Sequence, residues 1–165
     1  MRVGEDRDGI LQAALDRCAE SNTICSERYS AAQSDSRVYV LNIGDLACPQ
    51  SSCPAGRTQL NARDASKDPL GNDFTFGPVT ITIDPANFGT QSRLASKRAG
   101  RDISLTIDDV LGHELGGHAA GTLLMYLGGA MKVTKDGLGW CDEPCARKFD
   151  DLYREQRSLP TIWGP

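Results

Sequence analysis

The segment HELGGHA, His113 to Ala119, holds both histidines of the 165-residue chain. They stand five positions apart, with a glutamate after the first and two glycines before the second. The flanking sequence demands a helix. Upstream, SLTIDDVL supplies Thr106 as N-cap, Asp109 three residues later as its capping-box partner, and two aspartates where the helix dipole favours negative charge. Downstream, GTLLMYLGG carries apolar residues at helical spacing. A regular α-helix turns about 100° per residue, so side chains five apart point about 140° away from each other. A π-bulge, with an i to i+5 backbone bond, restores the facing, and such bulges are frequent at functional sites. Gly116 and Gly117 lack a Cβ, which eases the distortion, although two interior glycines forfeit roughly 2 kcal/mol of helix propensity relative to alanine. The segment therefore predicts a helix from the Thr106 cap toward Tyr126, widened between His113 and His118.

Two imidazoles brought to one face, with a carboxylate beside them, suit a metal. A zinc hydrolase needs three protein ligands, an open position, and a carboxylate that accepts the proton of the attacking water. A second geometry is open: Glu114 and His118 are four apart, so an unwidened helix would present those two and leave His113 behind them.

HELGGH resembles the H-E-x-x-x-H motif of the dipeptidyl peptidase III family. LGHELGGHA is also similar to the HELGHA segments of metallopeptidase toxin domains at the C-termini of bacterial polymorphic toxins, including those of Rhs type. In these gluzincin-like enzymes a glutamate on a later helix, often within E-E-x-x-A, is the third ligand. DEPCA, Asp142 to Ala146, stands at a comparable position, with Asp142 in place of the first glutamate and Pro144 inside the pattern. The resemblance spans roughly 106–154. It implies Zn2+ held by His113, His118 and Glu143, with Glu114 as general base. It also implies a small α+β zincin-like domain, its active-site helix packed on a short, mostly antiparallel sheet. Tyr126 and Tyr153 are both candidates for the oxyanion. The strand Val79 to Asp84 resembles the zincin edge strand on which an extended peptide pairs. The implied partners are a protein or peptide substrate and a cognate immunity protein. For Glu143 the competing role is a dipole-favoured acid in the first turn of a helix.

Elsewhere the chain reads as one domain over 1–165. Ile10, Leu11, Ala14, Leu15 and Cys18 mark an amphipathic helix within Asp6 to Glu20, followed by a polar stretch. Arg37 to Ile43 and Phe74 to Asp84 read as paired strands, the second alternating Val79, Ile81 and Ile83 with polar residues. Ala47 to Phe74 is dense in Pro, Gly, Ser, Asn and Asp and reads as a long loop. A last helix is expected from about Glu143 to Gln156, with Pro144 tolerated in its first turn, and then an extended tail.

Six cysteines fall into local pairs, and the simplest pairing is Cys18 with Cys25, Cys48 with Cys53, and Cys141 with Cys145. None has the C-x-x-C spacing of zinc ribbons. Disulfides imply an oxidising destination. The charged N-terminus, MRVGEDRDGI, carries no apolar signal core, which fits either a reduced cytosolic protein or a fragment exported as part of a larger polypeptide; with disulfides and the toxin-like motif, the second is expected. With a net charge of -4 and no dense Lys/Arg cluster, nucleic acid is a poor partner. The longest apolar run, Ala119 to Met131, is shorter than the ~20 residues a membrane helix needs. Two other classes fit the same residues: a non-catalytic disulfide-braced module with structural zinc or no metal, and a zinc amidase acting on cell-wall peptides.

Overall fold

The computed structural model describes residues 1–48, 53–64, 74–128, 132–134, 137–139 and 141–164. Strand β1 (Arg2–Val3) leads into helix α1 (Ile10–Glu20), whose Leu11, Ala14, Leu15 and Cys18 form the buried stripe. The Asp6 carboxylate lies ahead of the helix and accepts from the Leu11 and Gln12 amides at 3.0 and 2.9 Å, so the helix starts at Ile10 rather than Asp6. The polar stretch that follows is itself helical: α2 (Ile24–Ser34) starts at a Thr23 cap that accepts from the Cys25 amide. Its periodicity is faint because it buries little beyond Cys25 and Ala32.

Strands β2 (Tyr39–Ile43), β3 (Gly56–Asp64) and β4 (Phe74–Ile83) complete a four-stranded sheet in the order β1-β2-β4-β3. The fold is α+β, but the sheet is mixed rather than mostly antiparallel. β1 with β2 and β2 with β4 are parallel, and only β3 with β4 is antiparallel. The α1–α2 crossover brings β2 back parallel to β1, as such connections do. β3 then reverses along the outer edge, and β4 reverses again into the place beside β2.

β3 occupies part of the segment expected to be loop, of which residues 49–52 and 65–73 lie outside the described region. Its residues alternate, with Gly56, Thr58 and Leu60 partly covered and Arg57, Gln59 and Asn61 exposed. An edge strand wet on one face carries few apolar side chains, so its period was masked by polar composition. β4 is interior, which corrects the expectation that Val79 to Asp84 forms the edge; β3 is the edge strand on that side. Val79, Ile81 and Ile83 are fully buried and pack with Leu11, Leu41 and Leu115 into the main core.

Helix α3 (Phe88–Ala99) follows a short turn and buries only Ala95, too little for a readable apolar stripe. Then comes a continuous helix in three parts: α4 (Ile107–Leu111), a π-helical segment (Gly112–Ala119) and α5 (Ala120–Leu127). The Thr106–Asp109 capping box is present. The Ala120 amide donates to the Leu115 carbonyl, five residues back, as the widened turn requires. Residues 129–131, the end of the apolar run, lie outside the described region. A hairpin of β5 (Lys132–Thr134) and β6 (Gly137–Gly139) precedes α6 (Glu143–Gln156), which has Pro144 in its first turn. Among the described residues no helix is long and apolar enough to cross a membrane.

The π-segment glycines have a tertiary reason. A Cβ on Gly116 would sit 2.7 Å from Phe149 Cε1 and closer still to Cζ, and one on Gly117 would sit 2.8 Å from Ala146 Cβ. Both glycines let α6 lie directly against the widened turn. Gly116→Ala is therefore expected to destabilise the fold by about 1–3 kcal/mol through overpacking, read as a lowered midpoint in denaturant. A variant as stable as the parent would show that α6 can shift to accept the methyl group.

The three expected disulfides are all present: Cys18–Cys25, Cys48–Cys53 and Cys141–Cys145. The tail is not extended but wraps α6. The amides of Ile162 and Trp163 donate to Asp151 Oδ1 and that of Gly164 donates to Oδ2, at 2.6–3.0 Å. Three backbone donors on one carboxylate outweigh an extended conformation.

Candidate metal centre

The widened turn sets the rings of His113 and His118 perpendicular, with centroids 4.7 Å apart. The unwidened alternative, which pairs Glu114 with His118, does not hold. Glu143, first residue of α6, reaches across with Oε1 at 3.7 Å from His113 Nε2 and 3.3 Å from His118 Nε2. The Asp142 side chain caps that helix by accepting from the Cys145 amide, which aims the first turn at the histidines. One ligand atom from each of His113, His118 and Glu143 lies within 4.8 Å of the others, so the group can hold a metal ion.

The far side of each imidazole is also engaged. His113 Nδ1 lies 2.8 Å from Asp150 Oδ2, and His118 Nδ1 lies 2.7 Å from the Cys141 carbonyl. Both partners are acceptors, so the neutral rings carry their proton on Nδ1 and turn the Nε2 lone pair toward Glu143. Two lone pairs and a carboxylate oxygen then converge with no donor between them, and a cation resolves that convergence. This is the orienting arrangement found around metal-binding histidines.

Without a metal, protons take that part. Burial disfavours charge on His113, but Asp150 and Glu143 outweigh it and hold the imidazole well above its ordinary 6.5. His118 is likewise raised, Glu143 overcoming burial. The two imidazoles hold the Glu143 carboxyl far below the usual carboxylate range. A raised histidine contributes stability below its unfolded value and loses it as pH rises through the folded one. The lowered Glu143 contributes above its ordinary 4.5 and loses its share as pH falls. Between those ordinary values both contributions are present, and above them the metal-free centre weakens. A metal competes with the same protons. The rise in Tm on adding Zn2+ is thus expected to grow from pH 5.5 to pH 8 in thermal scans; a shift independent of pH would place the ion elsewhere.

Glu114 is buried, 5% exposed, and is turned toward β3 rather than into the three-atom group. Its Oε2 accepts from Thr58 Oγ1 at 2.6 Å. Gly56 makes room for it, since a Cβ there would lie 2.6 Å from Glu114 Cγ and Oε1. Burial raises the Glu114 carboxyl, partly offset by His113 and the Thr58 hydroxyl. Such a carboxylate holds a proton more readily than an exposed one.

A cavity of about 690 Å³ opens beside these residues, lined by His113, Glu114, Glu143, Asp150 and Tyr153 among others. Of the two tyrosine candidates, Tyr153 lines it. Tyr126 sits in the main core with the Arg37 guanidinium over its ring. The sequence reading missed Asp150, Thr58 and Trp163, whose Nε1 donates to Asp150 Oδ2 at 3.0 Å. Asp150 had a signal: it lies seven residues after Glu143, on the same face of α6. Thr58 and Trp163 reach the site only through strand pairing and chain folding.

The Cys141–Cys145 disulfide encloses Glu143, and Cys141 also supplies the carbonyl that orients His118. Replacing both cysteines by serine frees two supports of the centre at once. Metal affinity, read by chelator competition, is expected to fall by about 10–100-fold, as for other losses of outer-shell support. Unchanged affinity would mean that the Asp142 cap alone holds the loop.

The chain matches no family model, no curated protein and no solved structure.

Proposed function

We propose that this chain is a zinc-dependent peptide-bond hydrolase of zincin-like type, the effector domain of a larger secreted bacterial polypeptide. One observation carries the reading: three metal-competent acceptors converge, two of them, His113 and Glu143, on the wall of an open cavity, beside a buried carboxylate outside the ligand set. Two imidazoles and one carboxylate are a donor set that suits zinc. A structural zinc site closes its fourth position with protein, whereas here the cavity reaches His113 and Glu143. That favours catalysis over a binding module.

A bound cation supplies Lewis acidity, polarising a carbonyl and acidifying a water. The protein's residues do the rest. Asp150 and the Cys141 carbonyl fix the imidazole orientations. Thr58 holds Glu114 Oε2, leaving Oε1 to accept the water's proton and later pass it to the leaving amine. Tyr153, which lines the cavity, is the remaining tyrosine candidate for the oxyanion, and β3, at the end of the sheet, would offer its outer edge to an extended peptide.

The three disulfides fit a protein that meets an oxidising environment. Together with the HELGGH resemblance they support a delivered toxin, with a cognate immunity protein as partner. The test is elemental analysis beside hydrolysis of a peptide library and of cell-wall peptides. One zinc per chain, with cleavage abolished by chelation and restored by Zn2+, is the expected result. A zinc-loaded protein that cleaves neither substrate set would overturn the enzyme reading.

A further inference from the structure

One end of the cavity is built from charge that nothing in the proposed mechanism uses. Trp163 carries two guanidinium groups on its indole, with Arg98 Cζ and Arg147 Cζ each 4.1 Å from the ring. Both arginines line the 690 Å³ cavity and also an adjoining one of about 460 Å³, so the stack stands between two open spaces. Lys97 lines the first and Lys148 the second. Each cavity is thus lined by both arginines and one lysine, in a chain whose net charge is -4.

Local acids do not neutralise them. Asp151 lines the second cavity, but its carboxylate is taken by the three tail amides. Asp150 Oδ2 is shared by His113 and the Trp163 indole, and its Oδ1 is buried and makes no hydrogen bond or ion pair to either arginine. Among the described residues Arg147 pairs with Glu143 alone, Nε to Oε2 at 3.5 Å, and that Nε is buried without a hydrogen-bond partner. Among the described residues Arg98 has the indole contact and no carboxylate.

A guanidinium lying on an aromatic face keeps its in-plane N–H fork free, and that fork matches a carboxylate. Stacking also pre-organises the side chain, so less freedom is lost when a ligand is gripped. The neighbouring wall is apolar, formed by Leu94, Leu105, Val110 and Ile162. We infer that Arg98 and Arg147, braced on Trp163, form an anion subsite that selects peptides carrying a carboxylate close to the bond to be cleaved. The inference rests on the peptidase reading and names its substrate class. Arg147 follows Glu143 by one turn of α6, and its Nε stands 3.5 Å from Glu143 Oε2, so a carboxylate gripped there lies about one to two residues of extended peptide from the metal group. The carboxylate is either an acidic side chain within about two residues of the bond or a free C-terminus.

The test uses the zinc-loaded Glu114→Gln protein, so that peptides are held without being consumed. One short peptide is prepared in four forms, with an internal Glu or Gln and a C-terminal acid or amide. Each is titrated while the Trp163 indole N–H resonance is followed by NMR, with zinc content measured in parallel. An acidic form is expected to bind about 10–100-fold more tightly than its isosteric neutral form. Arg98→Gln and Arg147→Gln should each remove most of that difference. Whichever arm shows it, side chain or C-terminus, identifies the source of the carboxylate. Equal affinity for all four forms would overturn the subsite, as would a preference that survives both arginine variants. Hydrolysis does not enter the measurement, so failure of the peptidase reading would show in the cleavage assay and leave the anion preference standing.

Discussion

Glu114→Gln is expected to leave zinc bound and to lower peptide hydrolysis by about 10²–10⁴-fold, the range for loss of a general base. Glutamine keeps the length and planarity of the side chain, and its amide oxygen can still accept from the Thr58 hydroxyl that holds Oε2. It cannot take a proton. Glu114 is buried and stands outside the three-atom group, so metal binding has no reason to change. The loss should fall on kcat, with zinc content per chain as parent. A variant with full activity would remove Glu114 from the mechanism. One that lost its zinc would make Glu114 a ligand.

His113→Ala and His118→Ala act on the other half of the site. Each removes one of three ligand atoms, and zinc affinity is expected to fall by roughly a hundredfold or more, taking activity with it. The two are distinguishable from a folding defect because the metal-free centre has its own signature. Glu143 owes its depressed carboxyl to His113 first and His118 second. Either alanine should therefore raise the Glu143 carboxyl toward its ordinary value, visible by NMR titration in the absence of metal. Chelator competition then reports the ion directly. Parent-like zinc affinity in both variants would exclude the centre. A loss of zinc in only one would show that the other ring stands in an outer position.

Contrasting His→Ala and Glu114→Gln separates holding the metal from using it. Two elements approach the widened turn from opposite sides: Glu143 on α6 faces the histidines, and Thr58 on β3 holds Glu114. That geometry explains why the glycines are where they are. Gly116 and Gly117 face Phe149 and Ala146, and Gly56 faces Glu114. Their role is close approach at least as much as easing a distorted helix, since neither π-segment glycine has a positive φ.

What the chain determines by itself is whatever depends on neighbours within a few turns. Histidines five apart on a helix face the same way only through a π turn, and the turn is there. The Thr106–Asp109 box, the start of α6 at Glu143, the buried face of β4 and the three short-range disulfides follow from equally local spacing. What only the tertiary structure decided involves partners far apart in sequence. β3 looked like loop because its pairing with β4, rather than apolar composition, makes it a strand. The parallel pairing of β2 and β4 depends on β3 taking the outer edge. Asp150 meets His113 across 37 residues, and Thr58 meets Glu114 across 56. Periodicity reports which face of an element is buried, but not which other element covers it. The convergence of the two histidines on the widened turn could therefore be read from the chain, whereas the residues that orient them, and the arginines on Trp163, became visible only in the tertiary structure.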